Sequence, residues 1–300
     1  MNGIWVSDDI RYDTTGPKQA ERSKEMRAAL DRKRFGPWAL VTGASSGIGK
    51  EFARQIAASG IHVALVGRRE PLLRTVGAEC TQASGVQHRI IPLDLSEPDF
   101  LPVLADATRD LDIGLVVSNA GTGNPGRFLK LDRQLLQGNL RLSTMAHLDI
   151  AHHFGQKLTE RRRGGIILAG AMGAENGVPC MANDGAAKAY VHSLGEALHY
   201  EFKPQGVYVT VLAAGFTNTA VLEKFGLDPN TMPMKPMSVE QCVSEALSGL
   251  LKNRSRIVPG RLNRIMNALV PASLARKMEA DLLDKGLATK SAAANARAAA

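Results

Sequence analysis

Short apolar runs alternate with longer stretches of helical period along most of this chain. The runs are Trp38 to Val41, Ile61 to Val66, Gln87 to Leu93, Ile113 to Val117, Gly165 to Ala169 and Val207 to Ala213. Most are nearly continuous in apolar residues rather than alternating, which predicts strands covered on both faces. Between them the spacing predicts helices, notably over Gly47–Ser59, Leu131–Arg162, Asp184–Lys203 and Val239–Leu251. Strand–helix alternation of this kind predicts an α/β fold on a parallel sheet.

The pattern changes at both ends. Residues 1–36 read as a polar extension, in which Lys18 to Arg34 has helical composition and Met26, Ala29 and Leu30 offer a small apolar face for the body or a partner subunit. Residues 37–260 carry the alternating pattern and read as one domain. Residues 261–287 form a helical appendage that Pro271 breaks in two. Its apolar positions (Leu262, Ile265, Met266, Leu269, Val270, Leu274, Met278, Leu282, Leu283) are interleaved with Arg and Lys. That suits packing on the body or on another subunit, and also a peripheral membrane contact through 261–283. Residues 288–300 are Ala-rich and read as a disordered or frayed tail.

Composition narrows the function classes. With 300 residues and 44% hydrophobic content the chain can bury a substantial core. The net charge is +8, but aromatics are only 5% and no basic stretch is interleaved with them, which argues against nucleic acid. The excess positive charge suits a phosphorylated cofactor. No apolar run reaches the roughly 18 residues of a membrane span. The N-terminus lacks a signal-peptide pattern, and Cys80, Cys180 and Cys242 are widely spaced, so a cytoplasmic protein with reduced thiols is expected.

The candidate chemistry begins after the first strand. Thr42-Gly43-Ala44-Ser45-Ser46-Gly47-Ile48-Gly49 follows a strand and opens a helix, the context in which a Gly-rich turn receives a pyrophosphate. Gly43 allows the tight turn, Gly47 close approach of backbone to phosphate, and Gly49 close packing of helix on strand. The second strand ends Leu65-Val66-Gly67-Arg68-Arg69, with no carboxylate before Glu70. Two guanidiniums there favour NADP(H) over NAD, because an Arg at this turn accommodates the extra phosphate.

These residues resemble the short-chain dehydrogenase/reductase family, and further motifs extend the resemblance over about residues 38–260. Asp94 and Leu95 resemble its adenine contact. Ser118-Asn119-Ala120-Gly121 resembles its Asn-Asn-Ala-Gly turn, and Asn139 its catalytic Asn. Ala214-Gly215-Phe216-Thr217-Asn218-Thr219 resembles its Pro-Gly-x-x-x-Thr, which implies Thr219 near the nicotinamide carboxamide and Thr217 among the cofactor-binding residues. The resemblance implies a Rossmann-type doubly wound parallel sheet and a homo-oligomer through the long helix and the Asp184–Lys203 helix. The stretches 111–119 and 257–264 look closest to the 3-ketoacyl and 17β-hydroxysteroid reductase branch, which implies a small apolar substrate.

The resemblance also exposes two departures. Where the family has Tyr-x-x-x-Lys, this chain has Asp184-Gly185-Ala186-Ala187-Lys188, and where it has a serine, thirteen residues earlier, stands Ala171. Tyr190 and Tyr200 lie at the wrong spacing to substitute. Lys188 and Asn139 remain, so Asn139, Asp184 and Lys188 are the catalytic candidates. Attraction to Lys188 favours an ionised Asp184, which accepts hydrogen bonds and donates none, whereas burial beside an apolar substrate would raise its proton affinity and restore an acid role. Glu175 reads as a loop charge or a substitute acid. Cys180 lacks a neighbouring His. Asp149 and His153 lack a third ligand, so no metal site is expected. Three functions fit: an oxidoreductase with an altered site acting on a lipid-like or polycyclic carbonyl or alcohol; an isomerase, lyase or cyclase using Asp184 as base; and a catalytically silent NADP-binding partner or sensor.

Overall fold

All six apolar runs form strands. The computed structural model describes residues 29–298 except Pro233, with side chains as far as Ser291. The strands are β1 (Trp38–Thr42), β2 (His62–Gly67), β3 (His88–Pro92), β4 (Ile113–Ser118), β5 (Gly164–Ala171) and β6 (Val207–Ala214), and a two-residue β7 (Arg256–Ile257) adds an edge that is too short to stand out in sequence. The seven strands pair in parallel in the order β3-β2-β1-β4-β5-β6-β7. The order reverses between β1 and β4, and open α/β sheets bind ligands at such a reversal, beyond the carboxyl ends of the strands.

Helices cover both faces of this Rossmann-type sheet. On one face α2 (Gly47–Ala58), α3 (Glu70–Ser84) and α9 (Val239–Leu251) bury Phe52, Ile56, Leu73 and Leu247. On the other, α4 (Phe100–Ala107), α6 (Ala146–Glu160) and α7 (Ala182–Phe202) bury Phe100, Ile150, Phe154 and Val191. Local chemistry sets the ends of several helices. Ser238 Oγ accepts from Gln241 N at the start of α9, and Gly85, at φ 67°, closes α3 in a left-handed conformation.

The expected helix over 131–162 is not continuous. It divides into α5 (Arg133–Leu140), a π-helical turn (Arg141–Met145) and α6. Such wide turns are frequent at functional sites, and this one begins two residues after Asn139. The expected helix over 18–34 lies mostly outside the described residues; within them, α1 is only Arg32–Phe35. This part of the N-terminal segment is integral to the core. Phe35 and Leu30 are buried, Arg34 stacks on Tyr208 and donates to Gly206 O at 3.0 Å. Burial of Phe35 alone contributes about 1.5–3 kcal/mol.

The C-terminal part is α8 (Ala220–Lys224), α10 (Arg261–Leu269) and α11 (Ala272–Ala298), with the break at Pro271 as expected. α11 continues through the stretch read as a disordered tail, consistent with the high helix propensity of its alanines. No helix among the described residues is long and apolar enough to cross a membrane.

Candidate active site

A cavity of about 420 Å3 opens at the carboxyl ends of β1, β4, β5 and β6, where the strand order reverses. Its nucleotide-facing wall is held together by one side chain. Thr42 Oγ1 accepts from Asn119 N (2.8 Å) and Ala120 N (2.9 Å), while Asn119 Nδ2 donates to Thr42 O (3.2 Å). The turns after β1 and β4 are therefore fixed to each other. A Cβ on Gly49 would collide with the Gly43 carbonyl and lie 2.8 Å from Asn119 Nδ2, so only glycine fits. Gly43, Gly47 and Ile48 line the cavity with Ser46, Asn119, Ala120 and Gly121.

The amino end of α2 is suited to an anion. Its N-cap Ser46 makes no side-chain cap, which leaves the first N–H groups of the helix free of one. The Ser46 hydroxyl instead accepts from Arg69 Nη2 at 2.8 Å, and Ser45 Oγ accepts from the same nitrogen at 2.9 Å. Arg68 lies 3.6 Å from Asp94. Burial pushes the Asp94 carboxyl up, but hydrogen bonds from Ser96 and the Arg68 charge outweigh it and hold the group below its ordinary range. Leu95 is buried beside it. Thr217 and Thr219 close the cavity from the loop after β6, Thr217 bonded to Gly215 O (3.0 Å) and Thr219 capping α8. A dinucleotide fits this set: a free helix end, glycines where side chains would block the approach, and two exposed guanidiniums.

The opposite side of the cavity carries the catalytic candidates, and the structure brings them together. Asp184 is buried and lines the cavity with Lys188. The expected ion pair between them does not form. Lys188 Nζ donates to Ala169 O at 2.8 Å, and Asp184 is held by Asn139 Nδ2 (2.6 Å) and Asn124 N (3.3 Å). Burial pushes the Asp184 carboxyl above its ordinary value, against hydrogen bonds from Asn124 and Asn139 and the charges of Lys188 and Lys224. Of the two expectations for Asp184, the direction agrees with burial raising it: desolvation outweighs the nearby cations. Burial likewise pushes Lys188 down to about 8, with Asp184 pulling it the other way.

Ala171 presents only a methyl group to the cavity, but a polar chain runs behind it. Its N–H donates to His192 Nε2 (3.2 Å), and His192 Nδ1 meets Glu175 Oε1 at 2.7 Å. Glu175 in turn lies 2.5 Å from Arg256. Glu175 is thus committed to His192 and Arg256, which removes it as a substitute acid. Cys180 donates to Asp284 Oδ1 (3.1 Å), and burial raises its thiol, so it is not a poised nucleophile. Tyr190 and Tyr200 are exposed and absent from the cavity. Beneath Lys188, His147 bonds Ser118 Oγ (2.8 Å) and is held neutral by burial, which pushes it down to about 3.

Sequence reasoning missed two contributors. Glu279 and Leu283 of α11 line the same cavity, although they lie far beyond the motifs. Their only sequence signal is the i, i+4 spacing of one helix face. The segment after β6 divides. Phe216, Leu222 and Phe225 line this cavity, whereas Asn218 and Met234 to Met237 line a separate pocket against Gly260 to Asn263.

The glycine-rich turn, the reversed strand order and the Lys188 side of the cavity belong together in one family. The family model for short chain dehydrogenases matches residues 37–230, and the chain belongs to that family. It is 32% identical over 234 residues to a 7beta-hydroxysteroid dehydrogenase of Clostridium sardiniense, over 78% of this chain and 89% of the relative. A short-chain dehydrogenase from Sphingobium yanoikuyae, solved in complex with NADPH, superposes with a TM-score of 0.70 at 28% identity, over 84% of this chain and 95% of that one. The chain is also 30% identical over 193 residues to the inactive hydroxysteroid dehydrogenase-like protein 1 of Homo sapiens, over 63% of this chain and 58% of the relative.

Proposed function

We propose that this chain is an NADP(H)-dependent oxidoreductase with a non-standard active site, acting on a lipid-like or polycyclic carbonyl or alcohol. The observation that carries this reading is Asp184, a buried carboxyl with a raised proton affinity, lining an apolar cavity beside the nucleotide turn. Bound NADPH supplies a hydride to a carbonyl carbon. Gly43, Gly47 and the amino end of α2 receive the pyrophosphate; Arg68 and Arg69 receive the extra phosphate; Asp94, Asn119, Thr217 and Lys188 flank the rest. Asp184 holds the proton that the carbonyl oxygen takes up, and Asn139 orients its carboxyl. Phe216, Leu222 and Phe225 exclude water from the cavity.

Support for the substrate class comes from the apolar cavity walls and from the relative named a 7beta-hydroxysteroid dehydrogenase. Arg68 and Arg69, together with the NADPH-bound structural neighbour, support the choice of nucleotide. A second reading, a catalytically silent nucleotide-binding protein, is favoured by Ala171, which offers no hydroxyl, and by the human relative named inactive. Exposed Leu140, Met145 and Tyr200 support a subunit contact in a homo-oligomer. The exposed row Leu262, Ile265 and Leu269 beside Arg261 supports a peripheral contact surface on α10.

The discriminating experiment titrates NADPH and NADP+ against the protein and then follows nicotinamide absorbance with a panel of steroid and 3-ketoacyl substrates. Turnover that disappears in Asp184→Asn supports the oxidoreductase. Tight nucleotide binding without turnover on any substrate supports the silent reading. Failure to bind either nucleotide rules out both.

A further inference from the structure

α11 brings a second carboxyl into the cavity. Glu279 and Leu283 stand one helical turn apart and both line it. Glu279 Oε2 is shut off from solvent and has no hydrogen-bond partner among the described residues. A Cβ placed on Gly173 would lie 3.1 Å from Glu279 Oε1, and Gly173 is two residues beyond Ala171. The carboxyl therefore reaches the end of β5, beside the position that lacks a hydroxyl.

Most polar groups around it are engaged elsewhere, and Asn176 Nδ2, which also lies near Gly173, makes no hydrogen bond to it. Glu175 is bound to His192 and Arg256, and Arg276 Nε donates to Asn176 O at 2.8 Å. Lys188 bonds Ala169 O, and Asp184 bonds Asn139 and Asn124. Met172, Ala174, Val178 and Leu283, also in the lining, are apolar. An enclosed polar atom without a partner costs about 1–3 kcal/mol, more when charged. A ligand oxygen bonded to the Oε1 side of the carboxyl, which faces Gly173, offsets part of that cost.

We propose that Glu279 is a substrate-contacting residue, its carboxyl hydrogen-bonding, on the side facing Gly173, a hydroxyl or keto oxygen of an otherwise apolar substrate at the Ala171 end of the cavity. The proposal rests on the oxidoreductase reading and narrows its substrates to oxygenated polycyclic or lipid-like molecules, with this helix selecting them. A carboxyl pushed to about 7 by burial suits both partners of such a reaction. Protonated, it donates to a ketone; ionised, it accepts from an alcohol.

The test uses the full chain loaded with NADPH and calorimetric titration with two probes, a neutral 7β-hydroxysteroid and the same steroid without that hydroxyl. The wild type is expected to prefer the hydroxylated probe by about tenfold, the worth of one hydrogen bond. Glu279→Gln should keep the preference. Two truncations, Glu279→Leu and Glu279→Ala, should lose it while binding NADPH as tightly as the wild type. A truncation that binds NADPH and keeps the preference overturns the proposal, as does a wild type that binds NADPH and shows none. A wild type that does not bind NADPH overturns the underlying oxidoreductase reading instead.

Discussion

Replacing Glu279 by glutamine should stabilise the protein in alkaline solution and have little effect in acid. Burial raises the Glu279 carboxyl from its ordinary 4.5 to about 7. A carboxyl raised in the folded state favours folding below its unfolded value, and that advantage is lost as pH climbs through the folded value. Above about pH 7 the folded protein therefore bears the full cost of an ionised Glu279. At about 1.4 kcal/mol per pH unit, the interval from 4.5 to about 7 sets an upper limit of about 3.4 kcal/mol. Glu279 is only partly buried, and solvent screening reduces this to about 1–2 kcal/mol. For a chain of 300 residues that corresponds to a gain of about 2–3 °C in Tm for Glu279→Gln at pH 8.5, shrinking to about a third or less at pH 5. Differential scanning fluorimetry across this range reads the effect directly. An equal gain at both pH values would refute the linkage, because it would reflect packing and not ionisation. No gain at pH 8.5 would show that Glu279 is solvated.

Three further outcomes follow from the site. Asp184→Tyr combined with Ala171→Ser should raise ketone reduction by about a hundredfold, a modest return for a restored general acid, measured as NADPH consumption; an unchanged rate in a folded, NADPH-binding double variant shows that more of the site has diverged. Gly49→Ala should weaken NADPH binding and cost about 1–3 kcal/mol in urea unfolding, because its methyl group meets the Gly43 carbonyl. Arg69→Ala should reduce the preference for NADPH over NADH by about tenfold or more, and an unaltered ratio in fluorescence titrations would move phosphate recognition away from Ser45 and Ser46.

The sheet was legible because strands buried on both faces must be almost wholly apolar, and β1, β2, β4 and β5 are. The nucleotide wall was legible because Gly43 and Gly49 meet a steric demand no other residue satisfies. What escaped depends on distance along the chain. The upward push on the Asp184 carboxyl comes from burial beside Asn124, Asn139 and the cavity, while the i, i+4 neighbour that sequence reveals, Lys188, turns to Ala169. The break after Leu140 was invisible because a π-helical turn retains the helical pattern of apolar positions to within one residue. Glu279 and Leu283 reach the site only through the docking of α11, which no spacing within the motifs encodes.

The cavity is also divided by position along the chain. Its nucleotide side is drawn from Gly43 to Gly121, woven into the sheet through Thr42, while Glu279 and Leu283 come from the final helix, outside the sheet. All seven strands precede Pro271, so substitutions within that helix change no strand residue. If Glu279 selects substrate as proposed, changes confined to α11 alter substrate contacts while the nucleotide wall keeps its residues.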